Sequence, residues 1–233
     1  MSCRIELPRA LGAALAAILA AAPGAASPDE VSPGPEDAVV AAAPADRAEV
    51  ERLRRELRSR AAQVESGRGR LLFAETGGPY GKEPGPIVPV ADPDSWPDDA
   101  ATSWIVVLDE RRRVRLLQES PVSWSGDWSL DLTHVFDAEG RTVAFQRFSG
   151  FFNSGCSEVA RERSVAYFDG RGRRLAREWR LENGKRRLLS PKGCQFPYRN
   201  EYAIHRDARS AVDAARLGQA LAAAGAVVPR AGP

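Results

Sequence analysis

Residues 128–141 read WSLDLTHVFDAEGR, and the fold is decided there. Trp128, Leu130, Leu132, His134 and Phe136 alternate with Ser129, Asp131, Thr133 and Val135. Successive side chains of a strand point to opposite faces, so this period of two predicts a strand with one buried face. Asp137-Ala138-Glu139-Gly140-Arg141 ends it. An opening Asp, two residues suited to the α region and a Gly for the left-handed position predict a type I turn closed by a G1 bulge. Val143, Ala144 and Phe145 begin the return strand.

The unit recurs along the chain. Val165–Phe168 runs into Asp169-Gly170-Arg171-Gly172-Arg173, followed by Leu175, Trp179 and Leu181 on a face that Arg177 interrupts. Upstream, Trp104–Leu108 runs into Asp109-Glu110-Arg111-Arg112-Arg113, with Arg112 where the other copies have Gly, and then Val114 and Leu116. Asn183-Gly184 predicts a type I′ hairpin, whose two central residues need positive φ, with Leu188 and Leu189 on its return arm. Val122–Asp127 supplies one more turn. The Phe-Asp-x-x-Gly-Arg turn resembles units of YD-type and other β-repeat proteins; the likeness spans one turn per copy and implies hairpins rather than a family. Positions 109, 137 and 169 are unequally spaced, whereas a solenoid or propeller keeps its period. The expected fold is therefore mainly β: a single antiparallel β-meander domain over residues 104–206, with a peripheral N-terminal helix and a C-terminal helix.

Outside the meander, residues 1–26 have the form of a secretory signal: Arg4 and Arg9, then an apolar or small run from Ala10 to Ala22, then Gly24-Ala25-Ala26 before Ser27. That run is short of the ~20 residues a membrane span needs, so no transmembrane span is expected in the mature chain. Cys3 precedes the run, which does not fit lipoprotein acylation. Residues 27–46 are rich in Pro, Ala and acid and read as a disordered leader. Val50, Leu53, Leu57, Ala61 and Val64 recur at helical spacing and predict an amphipathic helix over 47–66, with Asp46 as N-cap in a capping box and Gly67 as the stop. Six prolines between Pro79 and Pro97 make 67–103 a linker without regular elements, on which Tyr80 and Trp96 are aromatic anchors. Phe196, Tyr198, Tyr202 and Ile204 suggest a closing edge strand. Asp207 caps a last helix over 207–225, and 226–233 is a tail.

Charge excludes little. The net is +2. From Trp104 to Arg206 nineteen Lys and Arg face thirteen Asp and Glu, a local +6 that leaves −4 for the remainder. No catalytic constellation, metal-ligand cluster, cofactor motif or phosphate-binding loop stands above background. Cys156 and Cys194 are the two cysteines of the mature chain, and in an exported protein they predict one disulfide. His134 lies on the strand face expected to be buried, either as a hydrogen-bonded core histidine or as the base of a small hydrolase. Phe148, Phe151 and Phe152 precede Cys156 and either complete the core or present aromatics to a partner. Arg171, Arg173, Arg174, Lys185, Arg186 and Arg187 are candidate anion contacts, for an anionic surface rather than for nucleic acid, which export removes from reach. Glu158, Glu162, Glu178 and Glu182 are interleaved and available to pair with them. The leading expectation is an exported, periplasmic or extracellular, non-catalytic binding module with an envelope protein or anionic surface as partner.

Overall fold

The computed structural model describes residues 41–77, 84–123, 125–191, 193–194 and 202–231. The chain divides into Met1–Val31 and Ser32–Pro233, and every described residue belongs to the second unit. The expected signal at 1–26, the leader as far as residue 40, Tyr80, Phe196 and Tyr198 lie outside the described residues.

A short 3-10 turn, Pro44–Asp46, leads into helix α1, Arg47–Ser66. Eight strands follow: β1 Arg70–Thr76, β2 Ile87–Val90, β3 Ala100–Leu108, β4 Val114–Pro121, β5 Trp128–Phe136, β6 Thr142–Phe152, β7 Val159–Phe168 and β8 Arg174–Asn183. They form one antiparallel sheet in the order β2-β1-β3-β4-β5-β6-β7-β8, so after β2 every strand joins the next by a hairpin. Helices α2, Ala208–Ala214, and α3, Gly218–Ala223, close the chain.

The turns explain the meander. Asp109, Asp137 and Asp169 each accept, through one carboxylate oxygen, the amides two and four residues on. The other oxygen accepts from Nε of the arginine at the fourth position, Arg113, Arg141 or Arg173, at 2.8–3.0 Å. The residue between is left-handed: Arg112 at φ 62°, Gly140 at 87° and Gly172 at 79°. Each turn shifts the register of its hairpin by one residue, as a G1 bulge must. Arg112 tolerates a conformation that favours Gly because its guanidinium caps the end of α3, donating to the Ala224 and Gly225 carbonyls. Val227 also donates its amide to the Arg112 carbonyl.

Asn183 makes a fourth copy of this turn and corrects the type I′ expectation. Its side-chain oxygen accepts from the amides of Lys185 and Arg187, and the positive φ falls on Arg186, at 60°, not on Gly184. The Asn side chain does what the Asp side chains do, and that local hydrogen bonding selects the turn.

The two sheet faces are covered by different helices. Val50, Leu53 and Leu57 of α1 pack on Val107, Leu116, Val135, Ala144, Val165, Tyr167 and Ala176. Burying three such side chains contributes roughly 5–9 kcal/mol as an upper bound, which is ample to seat the helix. The opposite face carries Phe73, Trp104, Val106, Leu117 and Phe136 under α2, Leu217 and Leu221.

Several expectations are corrected. The stretch 67–103 is not a linker: it holds β1, β2 and the first residues of β3. Phe73 pairs Trp104 on one side and Pro89 on the other, and Pro89 is tolerated because β2 is an edge strand. Asp46 does not cap α1; its carboxylate accepts instead from Arg173, which holds its pKa below the ordinary value. The last helix is two. Arg216, at φ 56°, breaks it, so Val212, Leu217 and Leu221 all reach the core without forming one stripe. Residues 202–205 are not a strand.

Candidate functional site

Cys156, in the β6–β7 loop, and Cys194, beyond β8, form a disulfide with Cα atoms 4.7 Å apart and a sequence separation of 38. The staple sits at the end of the sheet opposite the three Asp turns. The β6–β7 loop is ordered from within as well: Ser154, fully buried, donates through its hydroxyl to the Ser157 carbonyl, and Asn153 turns the chain at φ 55°.

The phenylalanines leave β6 on two faces. Phe151 is buried opposite Trp128, and Phe145 is buried opposite His134, both on the α2 side. Phe148 and Phe152 point to the α1 side, where Phe148 is half-buried and Phe152 is 49% exposed. α1 covers only the turn-proximal part of this face. From Ala144, under the helix, to Phe152 the strand runs about 26 Å. On that uncovered part the register sets Asp131, Phe148, Arg163 and Arg180 in one row and Ser129, Gly150, Arg161 and Glu182 in the next. Arg161, Arg163 and Arg180 are exposed. Arg180 pairs with Glu182 at 2.8 Å, Arg163 rests on the Gln146 amide oxygen, and no carboxylate among the described residues pairs with Arg161.

His134 is far from this surface and poorly placed for proton transfer. It is 5% exposed, packed against Phe136, Phe145 and His205. Its Nε2 accepts the His205 amide at 3.1 Å, so the lone pair a general base would use is committed. Burial, reinforced by His205, pushes its pKa down to about 3. The Thr142 hydroxyl donates to the His205 carbonyl, so this histidine orders the approach of the chain to α2. His205 is half-buried, and burial lowers its pKa as well.

The candidate anion contacts do not converge. Arg171, Arg173 and Arg174 lie at the Asp-turn end of β8 and Lys185, Arg186 and Arg187 at the other, about 30 Å of strand apart. Arg173 is already divided between Asp169 and Asp46. The interleaved glutamates pair elsewhere: Glu178 with Arg54 of α1, and Glu162 with Arg147.

That last pair belongs to a polar ladder the sequence reading missed. On the α2-side face, Arg147 meets Glu162 at 2.5 Å, and Glu162 also accepts Trp179 Nε1 at 2.7 Å. Arg147 lies over the Tyr202 ring at 5.1 Å, and buried Arg177 donates to Ser164. Arg177 breaking the face of Leu175, Trp179 and Leu181 was the available signal: a charge at a core parity implies a buried partner. Among the described residues no group of three His, Cys, Asp or Glu side chains is placed to hold a metal ion, and no helix is long and apolar enough to cross a membrane. No protein-family model, curated protein or solved structure matches the chain.

Proposed function

We propose that the protein is a non-catalytic binding module of an exported, oxidising compartment, periplasmic or extracellular, and that it binds through the part of its sheet that α1 leaves open. One observation carries the reading: Phe152, half in solvent, and Phe148 stand among Arg161, Arg163 and Arg180 on strands braced by the disulfide. A large apolar ring at an exposed position can serve as a contact anchor, and arginines around it favour an acidic neighbour. The partner's chemistry follows as an acidic segment with an apolar residue for Phe152. The disulfide supports the compartment, since such bonds persist where the surroundings oxidise thiols.

A photo-crosslinking residue placed at Phe152 of the mature chain in producing cells tests this. The expected result is a discrete adduct that disappears with Arg161→Glu and Arg163→Glu, while the same residue at Arg171, at the other end of the sheet, gives none. Equal labelling from both positions, or an adduct indifferent to the arginines, overturns the proposal.

A further inference from the structure

A cleft of about 820 Å³ opens between the C-terminal turns of α1, the Asp109 turn and the Asp137 turn, remote from the surface just described. Beside it three guanidiniums share two carboxylates. Glu56 receives Arg60 at 2.7 Å and Arg115 at 3.2 Å; Asp109 receives Arg113 at 2.7 Å and Arg115 at 3.6 Å. All five side chains are largely withdrawn from solvent, between 13% and 26% exposed. One positive charge is therefore left unbalanced where water screens it least. Its effect is visible at Arg115, whose protonated form is disfavoured first by burial and then by Arg60.

The rim carries charges of both signs. Arg111 lines the cleft, is exposed, and has no carboxylate partner among the described residues; Arg68 and Glu110 offset each other at 3.7 Å. Glu139, on the opposite wall, shares Arg141 with Asp137, which leaves one negative charge there facing Arg111. The Arg113 and Arg115 guanidiniums are fixed by the Ala138 and Phe136 carbonyls, so their planes are set before any ligand arrives. Arg60 and Arg113 line the cleft with Arg115 behind them, and preset guanidiniums beside a concave space suit a tetrahedral oxyanion.

We infer that this cleft binds a small phosphate-bearing ligand, its phosphate group lodged between Arg111 and the Arg60–Arg113–Arg115 cluster and facing Glu139.

Inorganic phosphate is the test ligand, titrated into the oxidised full chain at constant ionic strength with chloride as the reference, while the backbone amide resonances of Gly69, Arg111 and Glu139 are followed. Saturable shifts confined to these amides are expected. Arg111→Gln weakens binding about fivefold, the value of one exposed charge contact. Glu139→Gln tightens it by a similar factor, a gain that a merely destabilised fold does not produce. Arg171→Gln, on the neighbouring turn, leaves it unchanged. Vesicles carrying phosphatidylglycerol form the second arm: shifts of the same amides there, and none with free phosphate, identify a lipid headgroup as the source of the phosphate. Shifts that match those of chloride, or that do not respond to Arg111 and Glu139, overturn the inference.

Discussion

Gly140 and Gly172 close two turns of the same design, at φ 87° and 79°, yet their surroundings differ. A Cβ on Gly172 meets nothing within 4 Å, whereas one on Gly140 falls 2.8 Å from Pro229 Cβ and 3.1 Å from its carbonyl oxygen. Pro229 is buried, and Ala208 donates its amide to the Gly140 carbonyl at 2.8 Å, so the turn has no direction in which to retreat. Gly172→Ala therefore measures the left-handed backbone alone, about 1 kcal/mol. Gly140→Ala carries the same cost plus displacement of a packed proline, bringing its loss to roughly 2–4 kcal/mol. Urea denaturation of the disulfide-intact variants, followed by far-ultraviolet circular dichroism, reads both. Removing residues 229–233 provides the third arm: with Pro229 gone, the difference between the two alanine variants falls below about 0.5 kcal/mol, the level at which independent sites add. Equal losses for the two glycines, or a difference that survives the truncation, refute the claim that the C-terminal segment is docked on the Asp137 turn.

Other outcomes follow from the same geometry. His134 is neutral in the folded protein and takes up a proton on unfolding once the pH is below its ordinary value of 6.5. Its stabilising contribution is thus complete above that value and declines as the pH falls toward about 3, by about 1.4 kcal/mol per pH unit. A His134→Gln variant, measured by urea midpoints across this window, shows a shallower acid slope; an unchanged slope contradicts the buried neutral ring. Opening the Cys156–Cys194 bond, by reduction or by paired serines, lowers stability by roughly 4 kcal/mol if its loop acts through chain entropy. A loss under 1 kcal/mol shows the loop to be held by other contacts. Phe152→Ser leaves the denaturation midpoint within about 0.5 kcal/mol of the parent, because the ring is half in solvent, and a larger loss makes it a core residue.

The parts of this fold legible from sequence are those whose chemistry is local. An Asp bonding the amides two and four residues on needs no distant partner, so three of the four turns and the strands they join could be read directly. The fourth was misassigned because Asn-Gly fits two turn types, and the choice rests on which residue goes left-handed. β1 and β2 were missed for the opposite reason. Arg70–Thr76 has no turn of its own, and its identity as a strand comes from pairing Phe73 with Trp104 thirty-one positions later. The prolines beside it signal an edge as much as a linker. The phenylalanines could be grouped from sequence but not divided, because which face stays open depends on where α1 ends over the sheet, a tertiary fact. The arginine cluster on Glu56 and Asp109 was beyond reach too, since it joins a helix, a strand and a turn that sequence spacing does not bring together.

Mass spectrometry of the protein recovered from producing cells, alkylated and digested without reducing agent, tests the account at its base. The expected result is a peptide pair joined through Cys156 and Cys194, and a first residue at or close to Ser27. A full-length chain from the cytoplasm with both thiols alkylated contradicts it, removing the staple that braces the open sheet and the compartment in which that surface meets its partner.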